Sequence, residues 1–519
     1  MLPSRDVSDP VIRRRQNSPQ FASVLGPATW WTLRSEPFTK AISVMISFFL
    51  LLPVVGALAL IASVFYKSLA LKDVPGPFTT RFTKIPLLYQ TITLNRTRYI
   101  HELHRKYGPL VRLAPDEISV NHPPSVGPIY NYEKTHFYNA FEAYGAKNMF
   151  STPDRARHSG RRKHLGGEYT KAYMIRPENL TVIYDRVRQM MNNISEHSPV
   201  DVFYLFNYMA QDVISGFFFG NQNGSHLLQG QDTEVFDAWH MRRQTFHWFA
   251  ELPNVTKLLY SSGIANLLPG WKDAATGEQI INDMTHKWMD KCDPEKAHLL
   301  TKLMKTDLSR EQISAEVMDH MGAGHETTGT TLTFMIDHLS KNPEQQKKLH
   351  EELKNVDLDD FAAVDKLPYL HGVVLETLRL YSSIPASEPR VVPDGGVTLL
   401  DKFIPASTVI SAQPYSMHRQ EEYFERCLEF IPERWNEPTA KAKTAWMAFG
   451  KGTRGCIGQN IAMVTIKVAI SHLYKTFETR KPAVLPEKEN MDFKDYYMIT
   501  PVNDTCTVVF QKVDDGEKL

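Results

Sequence analysis

Residues 41–66 contain no charged side chain, and this run of 26 residues restricts the possible folds of the chain more than any other feature. A helix of this length, rising about 1.5 Å per residue, can cross a hydrocarbon layer roughly 30 Å thick. A cleaved signal peptide and a buried core helix are the competing interpretations. The polar leader is too long for the basic segment that begins a signal peptide. We therefore predict a leader over residues 1–40 and one transmembrane anchor over residues 41–66.

Basic residues lie on both sides of the apolar run, with Arg34 and Lys40 before it and Lys67 and Lys72 after it. The orientation of a membrane helix follows an excess of Lys and Arg on the cytosolic side. The nearly symmetric arrangement here therefore does not orient the predicted anchor.

The segment after the apolar run contains Pro-Gly-Pro at residues 75–77, and these residue types end helices and stiffen linkers. We predict a Pro/Gly hinge over residues 67–79. Beyond it the sequence shows no repeat, low-complexity stretch or second linker. This favours one folded domain over residues 80–512, followed by a C-terminal tail over residues 513–519.

Charge and cysteine content exclude several classes of protein. Lys and Arg total 59 against 58 for Asp and Glu, so no net field favours nucleic acid as a partner. The four cysteines lie far apart without a C-x-x-C pair, which argues against zinc ribbons and disulfide-rich secreted domains. The apolar fraction of 42% is typical of a folded enzyme or binding protein.

Hydrophobic periodicity predicts a mainly helical domain. Apolar residues recur at three- and four-residue spacing over residues 202–219, 310–341 and 457–477, which is typical of long amphipathic helices. Strand-like alternation is short. It occurs over residues 110–120, 397–403 and 505–511. The predicted fold class is mainly α with small β-sheets.

Cys456 lies between glycines directly before one of the predicted helices. Backbone N–H groups at a helix N-terminus lower a thiol pKa and favour a thiolate. Gly452 permits a tight turn, and Gly458 permits a flat ligand to approach the backbone. Phe449 could shield the sulfur, and Arg454 offers a fixed cation for a carboxylate. The competing interpretation is that Cys456 is a small buried apolar residue.

The segment over residues 449–458 matches the pattern F-x-x-G-x-R-x-C-x-G residue for residue. In this segment the chain resembles the cytochrome P450 family. The order and spacing of this and the following motifs resemble those of fungal microsomal members. The resemblance implies the cytochrome P450 fold and a bound haem b. It also implies that Cys456 is the proximal ligand of the haem iron and that Arg454 is a partner of a haem propionate.

Glu376 and Arg379 lie three residues apart on a predicted helix over residues 365–381 and therefore share a helix face. Such pairs usually lie in solvent and contribute little stability. Here apolar neighbours favour burial, and a buried pair needs further partners. The pair resembles the E-x-x-R element of the family, and Arg434 lies in a segment that resembles the second arginine motif. The resemblance implies a structural Glu-Arg-Arg cluster.

A glycine followed by hydroxyl residues interrupts the helical pattern at residues 323–328. Glycine and threonine weaken a helix interior, so a functional break is one interpretation. The segment resembles the oxygen-binding kink A-G-x-D/E-T-T of the family, which implies a catalytic acid at Glu326 and a catalytic alcohol at Thr327. The resemblance gives His325 no catalytic role, and a single helical histidine is usually packed or solvated.

A basic stretch around residues 155–164 is by its charge a solvated helix face. It resembles the family helix that contacts haem propionates, which assigns cofactor binding to His158 and Arg162, with His158 in place of the commoner tryptophan. Arg390 follows as a further propionate partner by the same resemblance. Candidate substrate-pocket residues are Phe137, Tyr138, Met149, Met321, Ile384, Pro385, Ala386 and Met498.

The resemblance implies a monooxygenase that inserts an oxygen atom from O2 into an apolar small-molecule substrate, in fungal secondary metabolism. Electrons would come from NADPH through a separate NADPH-cytochrome reductase, because the chain shows no flavin or nicotinamide segment. The expected location is the endoplasmic reticulum membrane, single-pass, with the catalytic domain cytosolic. Two alternatives stay open: a haem-thiolate isomerase or dehydratase that does not use O2, and a membrane-tethered haem-binding sensor.

Overall fold

A computed structural model describes residues 35–293 and 299–513. The chain divides into two compact units, Met1–Ser63 and Val64–Leu519. Residues 1–34 of the predicted leader and residues 514–519 of the predicted tail lie outside the described residues.

The N-terminal helix α1 spans Ser35–Ala70 and includes the whole predicted anchor. Its stretch Leu51–Ala70 has a mean hydropathy of 1.8, and only 6% of the most apolar window is buried. Among the described residues it is the one helix that is long and apolar enough to cross a membrane. An apolar N-terminal helix is therefore present, and its insertion in a membrane stays a prediction.

The unit that follows α1 is mainly helical. Its α-helices are α2 (Ile85–Ile92), α3 (Arg96–Tyr107), α4 (Pro123–Ile129), α5 (Arg155–Leu165), α6 (Lys171–Met174), α7 (Pro177–Asn192), α8 (Val202–Phe219), α9 (Glu234–Arg243), α10 (Phe246–Glu251), α11 (Pro253–Ser261), α12 (Trp271–Lys291), α13 (Leu299–Met304), α14 (Arg310–Ser340), α15 (Pro343–Leu353), α16 (Phe361–Asp365), α17 (Pro368–Leu380), α18 (Pro414–Met417), α19 (Ala440–Ala445) and α20 (Gln459–Thr476). Short 3₁₀-helices include Phe78–Arg81, Pro432–Trp435 and Gly452–Arg454.

Within the described residues, four small sheets lie between the helices. Their strands are β1 (Leu110–Ala114), β2 (Glu117–Val120), β3 (Glu133–Lys134), β4 (Pro199–Asp201), β5 (Arg390–Val391), β6 (Val397–Leu399), β7 (Lys402–Ile404), β8 (Val409–Ser411), β9 (Phe477–Arg480), β10 (Phe493–Tyr496), β11 (Met498–Pro501) and β12 (Thr507–Lys512). The largest sheet has the order β1-β2-β8-β5-β3, and the others are β4-β12-β9, β10-β11 and β6-β7. In the largest sheet Lys134 pairs with Arg390, which places two cations side by side. The predicted fold class is confirmed.

The long helix α14 runs through the glycine-containing segment that the sequence suggested as a break. A Cβ on Gly324 would lie 2.8 Å from Cγ1 of Ile214, and a Cβ on Gly329 would lie 2.5 Å from the Asn207 side chain. Both neighbours belong to α8. These glycines therefore allow α8 and α14 to approach closely, and the helix continues to Ser340.

The segment predicted as a hinge is bound to the domain that follows it. The Arg112 side chain on β1 donates hydrogen bonds to the carbonyls of Lys67, Ser68 and Leu71. The Arg112 backbone N–H donates to the Pro75 carbonyl at 2.7 Å. Residues 67–75 are thus fixed by backbone and side-chain hydrogen bonds to the first strand.

We predict that Gly372→Ala destabilises the domain and reduces its cofactor content. A Cβ at this position of α17 would lie 2.4 Å from the Pro432 carbonyl oxygen, a backbone atom that cannot rotate away. Overpacking of this kind costs roughly 1–3 kcal/mol. Thermal unfolding measures the effect.

Gly160→Ala is the matched control, because a Cβ on this helical glycine of α5 would enter open space, with no packing neighbour within 4 Å. It should be neutral or stabilise by about 0.5–1 kcal/mol. Equal melting temperatures for the two variants would contradict the close packing of α17 on Pro432.

Candidate functional site

A cavity of about 490 Å³ lies beside α14 and the loop that contains Cys456. Glu326 and Thr327 line it from α14, and Cys456 and Arg454 line it from the loop. Of the predicted pocket residues, the cavity is lined by Met149, Ile384 and Met498. Its lining does not include Phe137, Tyr138, Met321, Pro385 or Ala386. The α14 segment with Glu326 and Thr327 and the loop with Cys456, more than a hundred residues apart in sequence, therefore line the same cavity.

Cys456 lies between the 3₁₀-helix Gly452–Arg454 and the start of α20. Its backbone N–H donates to the Phe449 carbonyl at 2.8 Å, and its side chain is exposed towards the cavity. Burial raises the pKa of the Cys456 thiol, against the opposite effect of hydrogen bonds from the backbone N–H groups of Gly458 and Gln459. The sequence predicted a lowered pKa, but in the protein alone burial outweighs the helix terminus. A bound metal cation would favour the thiolate.

The predicted propionate partners of α5 and the cysteine loop lie together at one edge of the cavity. His158 and Arg162, four residues apart on α5, both line it. Arg162 donates to the Gly455 carbonyl at 2.8 Å, and Arg454 donates to the Thr152 carbonyl at 2.7 Å. Burial and then the positive charge of Arg454 lower the pKa of His158 to about 3. His158 is therefore a neutral hydrogen-bonding group at neutral pH.

Lys134 and Arg390 add two buried cations to the same region. Lys134 lines the cavity and donates to the Phe150 carbonyl at 2.7 Å. Burial and then the charge of Arg390 lower the pKa of Lys134 well below its usual value. Arg390 donates to Glu388 at 3.1 Å and to Tyr138. Its Nε atom is buried and has no acceptor among the described residues.

Four basic side chains converge on this edge, so the residues fit a ligand with two carboxylates, as haem has. They are Lys134, Arg162, Arg390 and Arg454, and Glu388 is paired with Arg390. Sequence reasoning missed Lys134, because a lysine in a two-residue strand belongs to no motif. The feature that marks Lys134 is its pairing with Arg390 in the sheet, which depends on the tertiary fold and is not visible in the sequence.

Glu326 is paired with an arginine from another helix. Its Oε1 accepts a hydrogen bond from Arg243 of α9 at 3.1 Å, and Arg243 also pairs with Asp504. The side chain of Glu326 is 8% exposed and that of Asp504 is 26% exposed. The three charges therefore connect the cavity to the protein surface. Arg243 and Asp504 were not predicted from the sequence.

Thr327 donates its hydroxyl hydrogen to the Ala323 carbonyl at 2.8 Å. Its own carbonyl accepts hydrogen bonds from Ser383 and Thr331, each at 2.8 Å. The Thr327 oxygen can still accept a proton or a water from the cavity. His325 is not among the cavity-lining residues. Its Nδ1 is bonded to the Met321 carbonyl, in keeping with a packing role.

Glu376 lies at the centre of a fully buried cluster rather than in solvent. Glu376 and Arg379 have side chains that are 0% exposed. Its carboxylate accepts two hydrogen bonds from Arg379 at 2.8 Å, and one each from Arg434, Trp435 and the Ile431 backbone at 2.9 Å. Burial acts to raise the pKa of Glu376, but these donors lower it overall.

The cluster reaches the cysteine loop through a histidine that sequence reasoning missed. Arg379 donates to the His418 carbonyl at 2.8 Å, and His418 Nδ1 bonds the Arg379 carbonyl. His418 Nε2 accepts a hydrogen bond from the backbone N–H of Met447 at 2.9 Å. Met447 lines the cavity two residues before Phe449. The arrangement explains how a distant ion pair can position the loop.

Comparison with known proteins agrees with this geometry. The model of the family "Cytochrome P450" matches residues 75–506, most of the chain. This chain belongs to the cytochrome P450 family. The family and its named relatives make this P450 an oxidoreductase of the monooxygenase type. The family generally binds haem iron and uses O2 with a redox partner.

Several fungal proteins resemble this P450 over most of its length. "Cytochrome P450 monooxygenase orf2" of Aspergillus niger is 28% identical over 82% of this chain and 91% of its own. "Cytochrome P450 monooxygenase tazI" of Aspergillus terreus is 28% identical over 84% and 93%. "Tryprostatin B 6-hydroxylase" of Neosartorya fischeri is 27% identical over 79% and 77%. Each of these is a distant relative.

We predict that Glu376→Ala destabilises this P450 by roughly 3–5 kcal/mol and prevents stable haem incorporation. The change leaves the buried Arg379 guanidinium without its carboxylate, and an uncompensated buried charge is strongly unfavourable. Thermal unfolding and the haem-to-protein ratio measure the two effects.

Glu102→Ala is the matched control, because Glu102 also pairs with an arginine three residues later, Arg105, but in solvent. It should shift the unfolding free energy by less than about 1 kcal/mol. Normal haem content in Glu376→Ala would show that the cluster does not position the loop.

Proposed function

We propose that this P450 is a reductase-dependent haem-thiolate monooxygenase of fungal secondary metabolism. One atom of O2 would enter the substrate and the other would leave as water, with NADPH supplying the two electrons. The observation that most supports this is the meeting of Cys456 with Glu326 and Thr327 at one cavity. A metal ligand and a proton-handling pair are both required for monooxygenation.

Haem b bound to Cys456 would supply the activation of dioxygen, which thiolate donation favours. Cys456 would hold the iron, and Phe449 would shield the sulfur. Gly452, at φ +66°, would shape the turn of the loop, and Gly458 would leave room for the macrocycle. The propionates would pair with the basic side chains at the cavity edge, which are Arg162, Arg390 and Arg454, together with Lys134. His158 would bind a propionate as a neutral hydrogen-bond donor.

Glu326 and Thr327 would handle protons where α14 lines the cavity. Arg243 pairs with both Glu326 and the partly exposed Asp504, so it would position the Glu326 carboxylate to take up a proton from water that enters on that side. Thr327 would pass it on, because its hydroxyl can both donate and accept. Glu376, Arg379 and Arg434 would act only by positioning the cysteine loop.

The isomerase or dehydratase alternative keeps the haem site but needs neither O2 nor reductase. The presence of both Glu326 and Thr327 at the cavity favours oxygen activation instead. A haem-binding sensor would need no substrate space beside these residues, whereas the cavity continues to α9, α10 and α12. Monooxygenation therefore accounts for more of the site than either alternative.

We also propose that α1 anchors the protein in the endoplasmic reticulum membrane, with the catalytic domain in the cytosol and NADPH-cytochrome reductase as its electron donor. Exposed apolar side chains beyond α1 support contact with lipid. They lie on the 3₁₀-helix Phe78–Arg81, on α2 and on α11, and include Phe78, Ile85 and Leu258. Fungal relatives such as the tryprostatin B hydroxylase support the assignment to secondary metabolism.

We predict that Thr327→Val uncouples electron use from product formation. The change keeps the side-chain shape but removes the hydroxyl, so protons would arrive less efficiently. With reductase, NADPH, O2 and a turned-over substrate, haem should still bind. The product formed per NADPH should fall, and hydrogen peroxide should rise. The ratio of product to NADPH is obtained by measuring product, NADPH consumption and hydrogen peroxide in the same reaction.

Thr333→Val is the matched control, because Thr333 makes the same bond to the carbonyl four residues earlier, at 2.8 Å, and does not line the cavity. It should keep the wild-type ratio. An unchanged ratio in Thr327→Val would exclude an essential role for the hydroxyl. Product formed without NADPH or O2 would favour the isomerase.

A further inference from the structure

We infer that the substrate of this P450 is an amphipathic organic anion whose carboxylate pairs with Arg242, while its apolar part lies against aromatic side chains of the cavity. The inference rests on the proposed function, because it names the substrate class of the same cavity. It also replaces the expectation of an apolar substrate with that of an apolar substrate that carries one anionic group.

The fold directs one face of α9 at the cavity. Trp239, Arg242 and Arg243 lie three and four residues apart, so they share a helix face, and all three line the cavity. A Cβ on Gly322 of α14 would lie 2.9 Å from the Trp239 ring, which shows how closely this face packs on α14. A Cβ on Gly277 of α12 would lie 3.2 Å from the Arg242 backbone nitrogen. Arg242 is thus placed by two packed helices.

Four arginines line the cavity, and three of them have acceptors. Arg162 and Arg454 donate to backbone carbonyls, and Arg243 pairs with Glu326 and Asp504. Within residues 35–293 and 299–513, Arg242 has no hydrogen-bond acceptor and no ion pair, and its Nε atom is buried. Its guanidinium lies 5.8 Å from the Trp239 ring centroid. A guanidinium stays charged at neutral pH, so the half-buried Arg242 is free to pair with an anionic group of a ligand in the cavity.

The other ionisable groups of this part of the cavity do not neutralise Arg242. Burial, and then the charge of Glu316, raise the pKa of Asp319 to about 8, against the opposite effect of nearby cations that include Arg242. Asp319 is therefore an electrostatic neighbour of Arg242, but it is mostly protonated at pH 7 and no ion pair joins the two in the described structure. Glu326 is engaged by Arg243. Glu278 lines the cavity from α12, but no ion pair joins it to Arg242 in the described structure. Lys257, at the exposed side of the lining, adds a further positive charge.

Aromatic side chains that line the same cavity as Arg242 suit the apolar part of such a substrate. Phe141 and Phe246 line the cavity with ring centroids 4.9 Å apart. Phe249 lines it one helical turn from Thr245, and Trp239 lies between Arg242 and α14. A ligand that reaches from these rings to Arg242 would bury apolar surface and satisfy the guanidinium.

Spectral titration of the full-length holoenzyme tests this inference. The probes are four aryl scaffolds of increasing length, including 4-biphenylacetic acid, each as carboxylic acid, primary amide and amine. At pH 7 the best-fitting acid should bind at least tenfold more tightly than its amide, since a charge-assisted bond contributes roughly 10- to 100-fold. Arg242→Gln should remove that preference and leave the affinity for the amide unchanged.

Lys257→Gln is the matched control, because it removes the same charge from the exposed part of the lining and should keep the preference for the acid. Arg242→Lys keeps the charge and should keep part of the preference, which separates a binding role from a folding defect. If no acid binds better than its amide, the inference is wrong. It is also wrong if amines bind best and Asp319→Asn removes their advantage. Haem content and NADPH-dependent turnover are measured in parallel, so a failure of the proposed function is recognised separately.

Discussion

The Glu376 carboxylate is the group on which the rest of the site depends. It is fully buried, and five hydrogen bonds from Arg379, Arg434, Trp435 and Ile431 compensate its charge. The guanidinium of Arg379 continues the network to His418, which fixes the backbone before the cysteine loop. A buried ion pair adds little net stability by itself. Its role here is to hold in one arrangement the loop that contains Cys456, the proposed thiolate ligand of the haem iron.

Uncompensated positive charge is the second organising feature. One group of cations lies at the cavity edge beside Cys456, where Lys134 and Arg390 neighbour each other in a sheet. Their mutual repulsion and burial are unfavourable until carboxylates bind. Arg242 is likewise a cation without an acceptor among the described residues, in the part of the cavity that we assign to the substrate. The protein therefore offers basic side chains at two places, where we propose that the carboxylates of the cofactor and of the substrate bind.

Contiguous features were predictable from the sequence, and features formed between distant segments were not. The glycine-flanked Cys456, the helical spacing of Glu376 and Arg379, and the long helices α8, α14 and α20 all follow from local pattern. Their family resemblance is confirmed by the family match. Lys134 and Arg243 belong to no motif, because their partners lie far away in the chain. Gly324 was recognised from the sequence as unfavourable within the predicted helix, but the close approach of α8, which explains a glycine there, could not be predicted.

The absorption spectrum of the reduced, carbon monoxide-bound protein tests most directly whether Cys456 binds the haem iron as a thiolate. The wild type should show the red-shifted Soret band characteristic of thiolate ligation. Cys456→Ala should lose it, while Cys292→Ala, at the end of α12 and outside the cavity lining, should keep it. Survival of the band in Cys456→Ala would contradict ligation of the iron by Cys456.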